Sequence, residues 1–393
     1  VTVTEKDLIY DLALDAKPLS LTTVARAYPE AELIYKGTYA GPLRVQGQAD
    51  DLAISTELTG PPGTLAFDGR VDADSIGGYG YDGLLRFNNL DLRLLLDTAA
   101  VPHTQLNGTV ELDVAGDSLP TWEGPLDLSL ERSLIDSVRV YAGARARMRF
   151  GGGRVRIDTM HVETALLSTA GRGGIGLLPG VRDSLAFLVS ADSLGALRQY
   201  LVQAAAGDSV ARAAALRDSL GAEVSGRGVL AGTLDSLDVR AALDIRHLTY
   251  GAYGARVARV AADLQHVALP DMRGTVRLNA DTIAAGGVAV ANAGLDLEVA
   301  GMSRVGFGLL ATLSNGPVLE TRGAFGTAQD TTRLALDAFR LGLDGREWTL
   351  ARKASLWASR GAFSADTVRL TGSRGGEILL AGAATEDSTV RLR

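Results

Sequence analysis

The amino-acid sequence predicts an all-β protein: an elongated, U-shaped (taco-like) antiparallel sheet of many short strands with an apolar inner groove. Three observations lead to this prediction. Apolar and polar residues alternate in short runs along most of the chain, the pattern of strands with one apolar and one solvated face. Gly accounts for 47 of the 393 residues, an excess that suits turns and bends. Aromatic residues make up only 5%, so neither large side chains nor helices suffice to cover the apolar face, and the sheet must curl over itself.

The run 108–115 illustrates the strand pattern. Val110, Leu112 and Val114 point to one face of this strand, whereas Glu111 and Asp113 point to the other. The same alternation places further aliphatic residues on the inner face of later strands. These residues are Leu126, Leu128, Val155, Ile157, Val276, Leu278, Leu295, Leu297, Leu334 and Leu336. Together with the three residues of the first run, they are predicted to line the groove.

Turn signals separate the predicted strands. An Asp-Ser pair followed by an aliphatic residue recurs at 117–119, 136–138, 183–185 and 235–237, and such side chains close turns by bonding to nearby backbone groups. Asn107-Gly108-Thr109 is formally a glycosylation acceptor, but Asn-Gly first predicts a hairpin turn. The spacing of these signals is irregular, which favours an antiparallel meander over a β-helix or a propeller.

One segment departs from the strand pattern. Leu194, Leu197 and Leu201 recur at helical spacing, and Asp192 and Asp208 are suitable N-caps. We therefore predict a small α-helical insertion over 192–221. It separates two segments of the same repeating β-groove sheet, 1–191 and 222–393.

Charge and composition narrow the classes of function. A formal net charge of −7 and few aromatic residues argue against a nucleic-acid partner, which requires a basic face. No apolar run approaches the roughly 20 residues of a membrane-spanning helix. The chain starts at Val1 without an initiator Met and its alternation runs on to Arg393, so we expect it to be a piece of a longer protein.

Three short motifs suggest chemistry, and each has a simpler explanation. Residues 116–119 spell the GDSL signature of a lipase and esterase family, but the Asp-Ser-aliphatic pattern around Ser118 is the general turn of this chain. Residues 171–176 match a dinucleotide-binding fingerprint, yet Pro179-Gly180 leaves no room for the required helix. His161 and Glu163 could be two metal ligands, but no third ligand clusters with them. We therefore predict no enzymatic activity, no cofactor and no metal site.

Gly-x-strand units occur at 63–72 and 226–237, and a pattern of strands that re-enter the sheet follows at 348–382. Together these stretches resemble the TamB-type translocation and assembly proteins within the wider AsmA-like group. The resemblance implies a periplasmic segment of an inner-membrane-anchored protein that reaches toward the outer membrane. Such a segment carries phospholipids, with acyl chains in the groove, or assists the assembly of outer-membrane proteins. The implied partners are the inner membrane, through an anchor outside this chain, and an outer-membrane β-barrel.

A second hypothesis stays open at this point. The same aliphatic residues could fill a closed, dry core, and the chain would then be a β-rich surface adhesin or a structural scaffold. Composition alone does not separate an accessible groove from an ordinary core, because both need one aliphatic face per strand.

Overall fold

The computed structural model is nearly all β, which confirms the predicted fold class. It describes residues 9–20, 23, 26, 37–73, 79–96, 101, 103–135, 138–140, 144–195, 220–267, 269–285, 287–301, 303–328, 331–343, 345–359 and 362–385. The chain divides into two compact units, 1–188 with 231–235 and 189–230 with 236–393. We call them unit 1 and unit 2 and describe each by itself.

Unit 1 contains the first twelve strands and part of the next. The strands are Tyr10–Ser20 (β1), Thr38–Gln48 (β2), Asp51–Gly60 (β3), Gly63–Asp72 (β4), Gly80–Leu90 (β5), Thr104–Ala115 (β6), Gly124–Leu130 (β7), Ser133–Ile135 (β8), Val138–Val140 (β9), Ala144–Gly151 (β10), Arg154–Glu163 (β11), Ser168–Gly176 (β12) and Asp183–Ala191 (β13). A short helix, Leu92–Leu96 (α1), follows β5, and a 3₁₀ turn, Leu119–Thr121, follows β6.

Strands β1 to β7 form a meander in which each strand pairs antiparallel with the next. The meander continues from β7 to β10, β11 and β12, while the short β8 pairs with the start of β6 and with β9. A single parallel bridge joins Gly176 to Thr233. This order follows from the sequence because short connections between alternating runs favour antiparallel neighbours.

Unit 2 continues with longer strands. They are Leu220–Thr233 (β14, whose last residues belong to unit 1), Ser236–Tyr250 (β15), Tyr253–Gln265 (β16), Arg273–Ala285 (β17), Val288–Ala300 (β18), Val305–Leu313 (β19), Val318–Ala328 (β20), Thr331–Leu343 (β21), Arg346–Leu350 (β22), Ala354–Ser359 (β23), Ala362–Gly372 (β24) and Glu377–Thr385 (β25). Strands β15 to β21 pair in sequence order, all antiparallel. Strand β21 then pairs with both β22 and β23, and β24 pairs with these two and with β25.

The alternation of inward and outward residues is interrupted in two strands of unit 2. His247 in β15 and Thr282 in β17 adopt the left-handed conformation, with φ of 52° and 53°, and the alternation slips by one on either side of them. Ala255, Ala258 and Ala280 of β16 and β17 lie buried and form a small core. Ile245, Leu248, Leu278 and Ile283 pack against this core.

Not every predicted turn is a turn. Asn107 and Gly108 lie inside β6, so the prediction of a hairpin turn at this position is wrong. The Asn107 side chain instead accepts a hydrogen bond from the backbone NH of Asn89 at 2.8 Å and donates one to the carbonyl of Arg132 at 2.7 Å. It thereby ties together the backbone on both sides of β6.

The predicted Asp-Ser turns occupy different positions in the structure. Those at 117–118 and 235–236 lie at the β6–β7 and β14–β15 connections, as predicted, whereas the pair at 183–184 opens β13. The pair at 136–137 lies outside the described residues. So does most of the predicted helical insertion over 192–221, of which only 192–195 and 220–221 are described; the last two residues begin β14.

Candidate functional site: the apolar face of the sheet

The five predicted groove residues of β6 and β7 share one side of unit 1, as the alternation requires. Val110 of β6 faces Leu128 of β7, and Leu112 faces Leu126. Val114 is 2% exposed, and the other four are half-buried. We call this side of each unit's sheet the apolar face and the opposite side the polar face.

The apolar face of unit 1 is built of rows that run across the strands. Cross-strand neighbours on the same face contact one another, so aliphatic residues in register form a continuous strip. One row consists of Leu12, Val45, Ile54, Gly69, Gly83, Leu112, Leu126, Met148 and Ile157. Ile157 is buried and pairs onward with Gly173 of β12, and Val155 beside it is half-buried, so both predicted residues of β11 lie on this face.

Part of this face is covered by α1, which sequence reasoning missed. Leu95 of α1 is buried in a cluster with Tyr39, Phe87, Leu90 and Leu106, and half-buried apolar residues pack against that cluster. Those packed residues are Leu58, Leu65, Leu92, Val110, Leu128 and Leu130. Two predicted groove residues are therefore also contacts of a conventional small core.

Asp91 fixes the start of α1. Its Oδ1 accepts hydrogen bonds from the backbone NH groups of Arg93 at 2.9 Å and Thr104 at 3.3 Å, and its Oδ2 lies 2.7 Å from Nδ1 of His103. Burial alone would raise the pKa of Asp91, but these hydrogen bonds outweigh it and hold the pKa below its ordinary value. The charged carboxylate is thus the form that caps the helix.

The apolar face of unit 1 is exposed at its β1 edge. On β1, Leu12 and Leu14 are 44% and 54% exposed, although they continue rows that are half-buried on β2 and β3. Exposed aliphatic residues in register with a continuous apolar strip mark a surface that can take up an apolar ligand.

Unit 2 repeats the arrangement with three rows in register. One row consists of Leu243, Val260, Leu278, Leu295 and Leu309, and a second of Ala241, Ala262, Val276, Leu297, Phe307, Gly323, Leu336 and Ala354. The third contains Val299, Val305, Phe325, Leu334 and Leu356. The six predicted groove residues of this unit are all half-buried members of these rows.

The polar face of unit 2 carries paired charges. Arg240 faces Asp263 with 3.1 Å between guanidinium and carboxylate, Arg259 lies 3.4 Å from Asp244, and Arg277 lies 3.5 Å from Asp296. These side chains are well exposed, so each pair adds little to stability. Their regular placement does make the two faces chemically opposite, one aliphatic and one ionic.

The enzymatic motifs do not form reaction centres in the described part of the chain. Ser118 caps the 3₁₀ turn, where its hydroxyl lies 3.3 Å from that of Thr121. Residues 171–176 lie in strand β12, so no helix follows the glycines as a dinucleotide site needs. His161 is exposed on β11 and faces Arg145. No three His, Asp or Glu side chains among the described residues are placed to hold a metal ion.

Comparisons with protein-family models, with curated proteins and with solved structures find no match for this chain. Among the described residues, no helix is long and apolar enough to span a bilayer.

Proposed function

We propose that this chain is a non-enzymatic lipid carrier whose apolar face holds phospholipid acyl chains in a groove. The observation that carries the proposal is the set of aliphatic rows in register across many strands, half-buried and backed by an ionic polar face. A ligand that matches such a strip is long, flexible and apolar. Aromatic stacking and placed polar groups, which fix the orientation of a compact ligand, are sparse along these rows.

The energetics suit movement as well as binding. Burial of each CH₂ group contributes about 0.8 kcal/mol, so an acyl chain is held by many small, equivalent contacts. Leu, Val and Ala follow one another along the rows. When the acyl chain moves by one strand, each CH₂ group therefore exchanges its contact with one aliphatic side chain for a similar contact with the next. An acyl chain can then slide without crossing a large barrier.

The resemblance to TamB-type and AsmA-like proteins supports a location for this activity. We propose that the chain is a periplasmic segment of an inner-membrane-anchored protein that carries phospholipids toward the outer membrane, with an outer-membrane β-barrel as its partner. Assistance in the assembly of outer-membrane proteins is the related role that the same resemblance supports.

A substitution of Leu278 tests the proposal, with its neighbour as a matched control. Leu278→Asp places a carboxylate in the central row of unit 2, whereas Asn279→Asp introduces the same charge on the polar face one residue later. We expect Leu278→Asp to abolish crosslinking of a photoreactive phospholipid in unit 2 and Asn279→Asp to leave it unchanged. Equal crosslinking in both folded variants would contradict the proposal.

A hydrophobic dye separates the proposal from the scaffold or adhesin hypothesis. An accessible apolar face binds the dye in the native state, and added phospholipid competes for it. A closed core binds dye only after unfolding. Native protein that leaves the dye unbound, with intact circular dichroism, would favour the scaffold.

A further inference from the structure

The polar face of unit 2 carries a pocket at the edge of the sheet where β20 and β23 end and β21 begins. Arg333 of β21 lies between Gly326 of β20 and Trp357 of β23 in the strand register, and all three residues line the pocket. Because Arg333 directly precedes Leu334 of an aliphatic row, its side chain points to the polar face. The pocket, with a volume of about 720 Å³, therefore lies opposite the face proposed to hold acyl chains.

Small side chains and one turn shape this pocket. Ala324 of β20 pairs with Ala335 of β21, and both residues line it. The β18–β19 turn approaches the sheet closely here, since a Cβ added at Gly326 would lie 2.4 Å from the carbonyl oxygen of Ser303. The pocket thus lies between this turn and the large side chain of Trp357.

Two contacts orient the guanidinium group of Arg333. It lies 5.7 Å from the centre of the Trp357 ring, within the range of a cation–π interaction. Its Nη2 donates a hydrogen bond to Oγ of the buried Ser355 at 3.2 Å. Neither cross-strand neighbour of Arg333 is an acid. Because a guanidinium group has five N–H donors, others remain for a ligand.

Arg304 supplies a second positive charge from the β18–β19 turn. Its backbone NH donates a hydrogen bond to the carbonyl of Gly301, and its own carbonyl accepts one from the NH of Ala300. The Arg304 side chain is exposed and has no hydrogen bond or ion pair with a described residue. Both arginines of the pocket thus differ from the paired arginines elsewhere on the polar face of unit 2.

The charges and donors of the pocket match a phosphate group. Besides the two arginines, the hydroxyl-bearing Ser303, Thr327 and Thr331 line it, and no carboxylate is among its described lining residues. Guanidinium groups bind carboxylates and phosphates through charge-assisted hydrogen bonds. A phosphomonoester has close to two negative charges at neutral pH and three acceptor oxygens, whereas a carboxylate has one charge and two oxygens. Two positive charges therefore favour the phosphomonoester.

We propose that this pocket binds the phosphomonoester group of a small ligand, with Arg304 and Arg333 on the phosphate and Trp357 beside the organic part. The inference goes beyond the lipid-carrier function. It requires no acyl chain, because the pocket and the aliphatic rows lie on opposite faces.

Calorimetric titration with glycerol 3-phosphate tests the inference. Glycerate is the matched ligand, because a carboxylate replaces the phosphate group of the same small compound. Binding is measured to the full chain and to Arg304→Gln, Arg333→Gln and, as a control, Arg256→Gln. Arg256 is exposed on β16 of the same unit and does not line the pocket.

We expect the full chain to bind glycerol 3-phosphate more tightly than glycerate. Each pocket variant should bind glycerol 3-phosphate about tenfold more weakly, the loss of one charge-assisted contact, whereas Arg256→Gln should match the wild type. Since the Arg304 side chain has no hydrogen bond or ion pair with a described residue, Arg304→Gln separates ligand binding from folding.

Vesicles that contain phosphatidic acid present the same phosphate group from a membrane. Vesicle binding that depends on both arginines, without binding of glycerol 3-phosphate, would keep the site and identify a lipid head group as its ligand. If neither form of the phosphomonoester binds, or if both pocket variants bind as the wild type does, the inference is wrong. Equal affinity for glycerate would also overturn it, because the pocket would then not select phosphate. Crosslinking at Leu278 decides the carrier function separately.

Discussion

Asp91 Oδ2 lies 2.7 Å from His103 Nδ1, and this pair anchors α1, which covers part of the apolar face of unit 1. The other oxygen of Asp91 accepts a hydrogen bond from the backbone NH of Arg93 in the first turn of α1, the geometry of an N-cap. Leu95 of α1 lies in the buried cluster around Tyr39. A charged carboxylate thus holds α1 against the small core of unit 1.

Replacement of Asp91 by Ala should destabilise unit 1 by about 1–2 kcal/mol at neutral pH, because the cap of α1 is lost. The pKa of Asp91 is lowered in the folded protein. Its contribution is therefore complete above the unfolded pKa, about 4, and disappears as pH falls through the lower folded value. The difference in unfolding free energy between wild type and Asp91→Ala should be constant near neutral pH and shrink in acid.

Urea unfolding followed by Trp122 fluorescence measures this difference in unit 1 if Trp348 and Trp357 are both replaced by Phe. Asp113→Ala is the control, since Asp113 is exposed on the polar face of β6. A difference for Asp91→Ala that persists undiminished well below pH 4 would refute the role assigned to the charged carboxylate.

Tyr39 carries a buried hydroxyl that has no hydrogen-bond partner among the described residues. The residue is 1% exposed, and this burial raises the pKa of its hydroxyl. Tyr39→Phe should stabilise unit 1 by about 1 kcal/mol, because an unsatisfied polar group leaves the core while the ring remains. Thermal unfolding of Tyr39→Phe beside Tyr79→Phe, a 38% exposed tyrosine, measures the effect. A clear loss of stability would mean that the hydroxyl has a bonding partner.

The alternation of the sequence was sufficient to predict the fold class. The thirteen proposed groove residues lie on the apolar faces and are half-buried or buried, and their role as the lining of a groove stays a prediction. The period of two determines which side chains share a face, so one correct strand fixes the orientation of all its residues. The curled, U-shaped form stays a prediction, because alternation carries no information on how far a sheet curls.

The features of the structure that the sequence did not predict have no hydrophobic periodicity of their own. The helix α1 is five residues long, and a run of apolar residues that short fits a strand as well as a helix. The left-handed residues His247 and Thr282 are neither Gly nor Asn, so no turn signal marks the interruption of the alternation there. Asn107-Gly108 has the composition of a hairpin turn. The hydrogen bonds of the Asn107 side chain to Asn89 and Arg132, on the two sides of β6, instead hold the pair within a long strand.

The small alanine core of unit 2 is predicted to tolerate no larger side chain. Ala258 is 3% exposed in this core, so Ala258→Leu should destabilise unit 2 by about 1–3 kcal/mol through overpacking. Ala261→Leu, three residues later on the exposed polar face, should change stability by less than about 0.5 kcal/mol. Urea unfolding followed by Trp348 fluorescence compares the two variants. Equal stability of the two variants would show that the core has room for the larger side chain.

Gly274 keeps β16 and β17 close together ahead of two groove residues, Val276 and Leu278. It has φ of 144°, and a Cβ added there would lie 2.0 Å from the carbonyl oxygen of Asp263. Gly274→Ala must therefore separate the strands or change the local backbone, and we expect a loss of at least 1 kcal/mol, the lower end of the range of about 1–3 kcal/mol for such strain. Gly151→Ala is the control, because a Cβ there meets nothing within 4 Å.

Hydrogen exchange of the β16 and β17 amides locates the effect of Gly274→Ala. Faster exchange confined to the paired residues beside Asp263 would show that the glycine maintains the register of this pair. Since Val276 and Leu278 follow directly on β17, the same variant should also reduce phospholipid crosslinking at Leu278. Unchanged exchange and crosslinking would mean that the sheet absorbs the extra methyl group without moving the apolar rows.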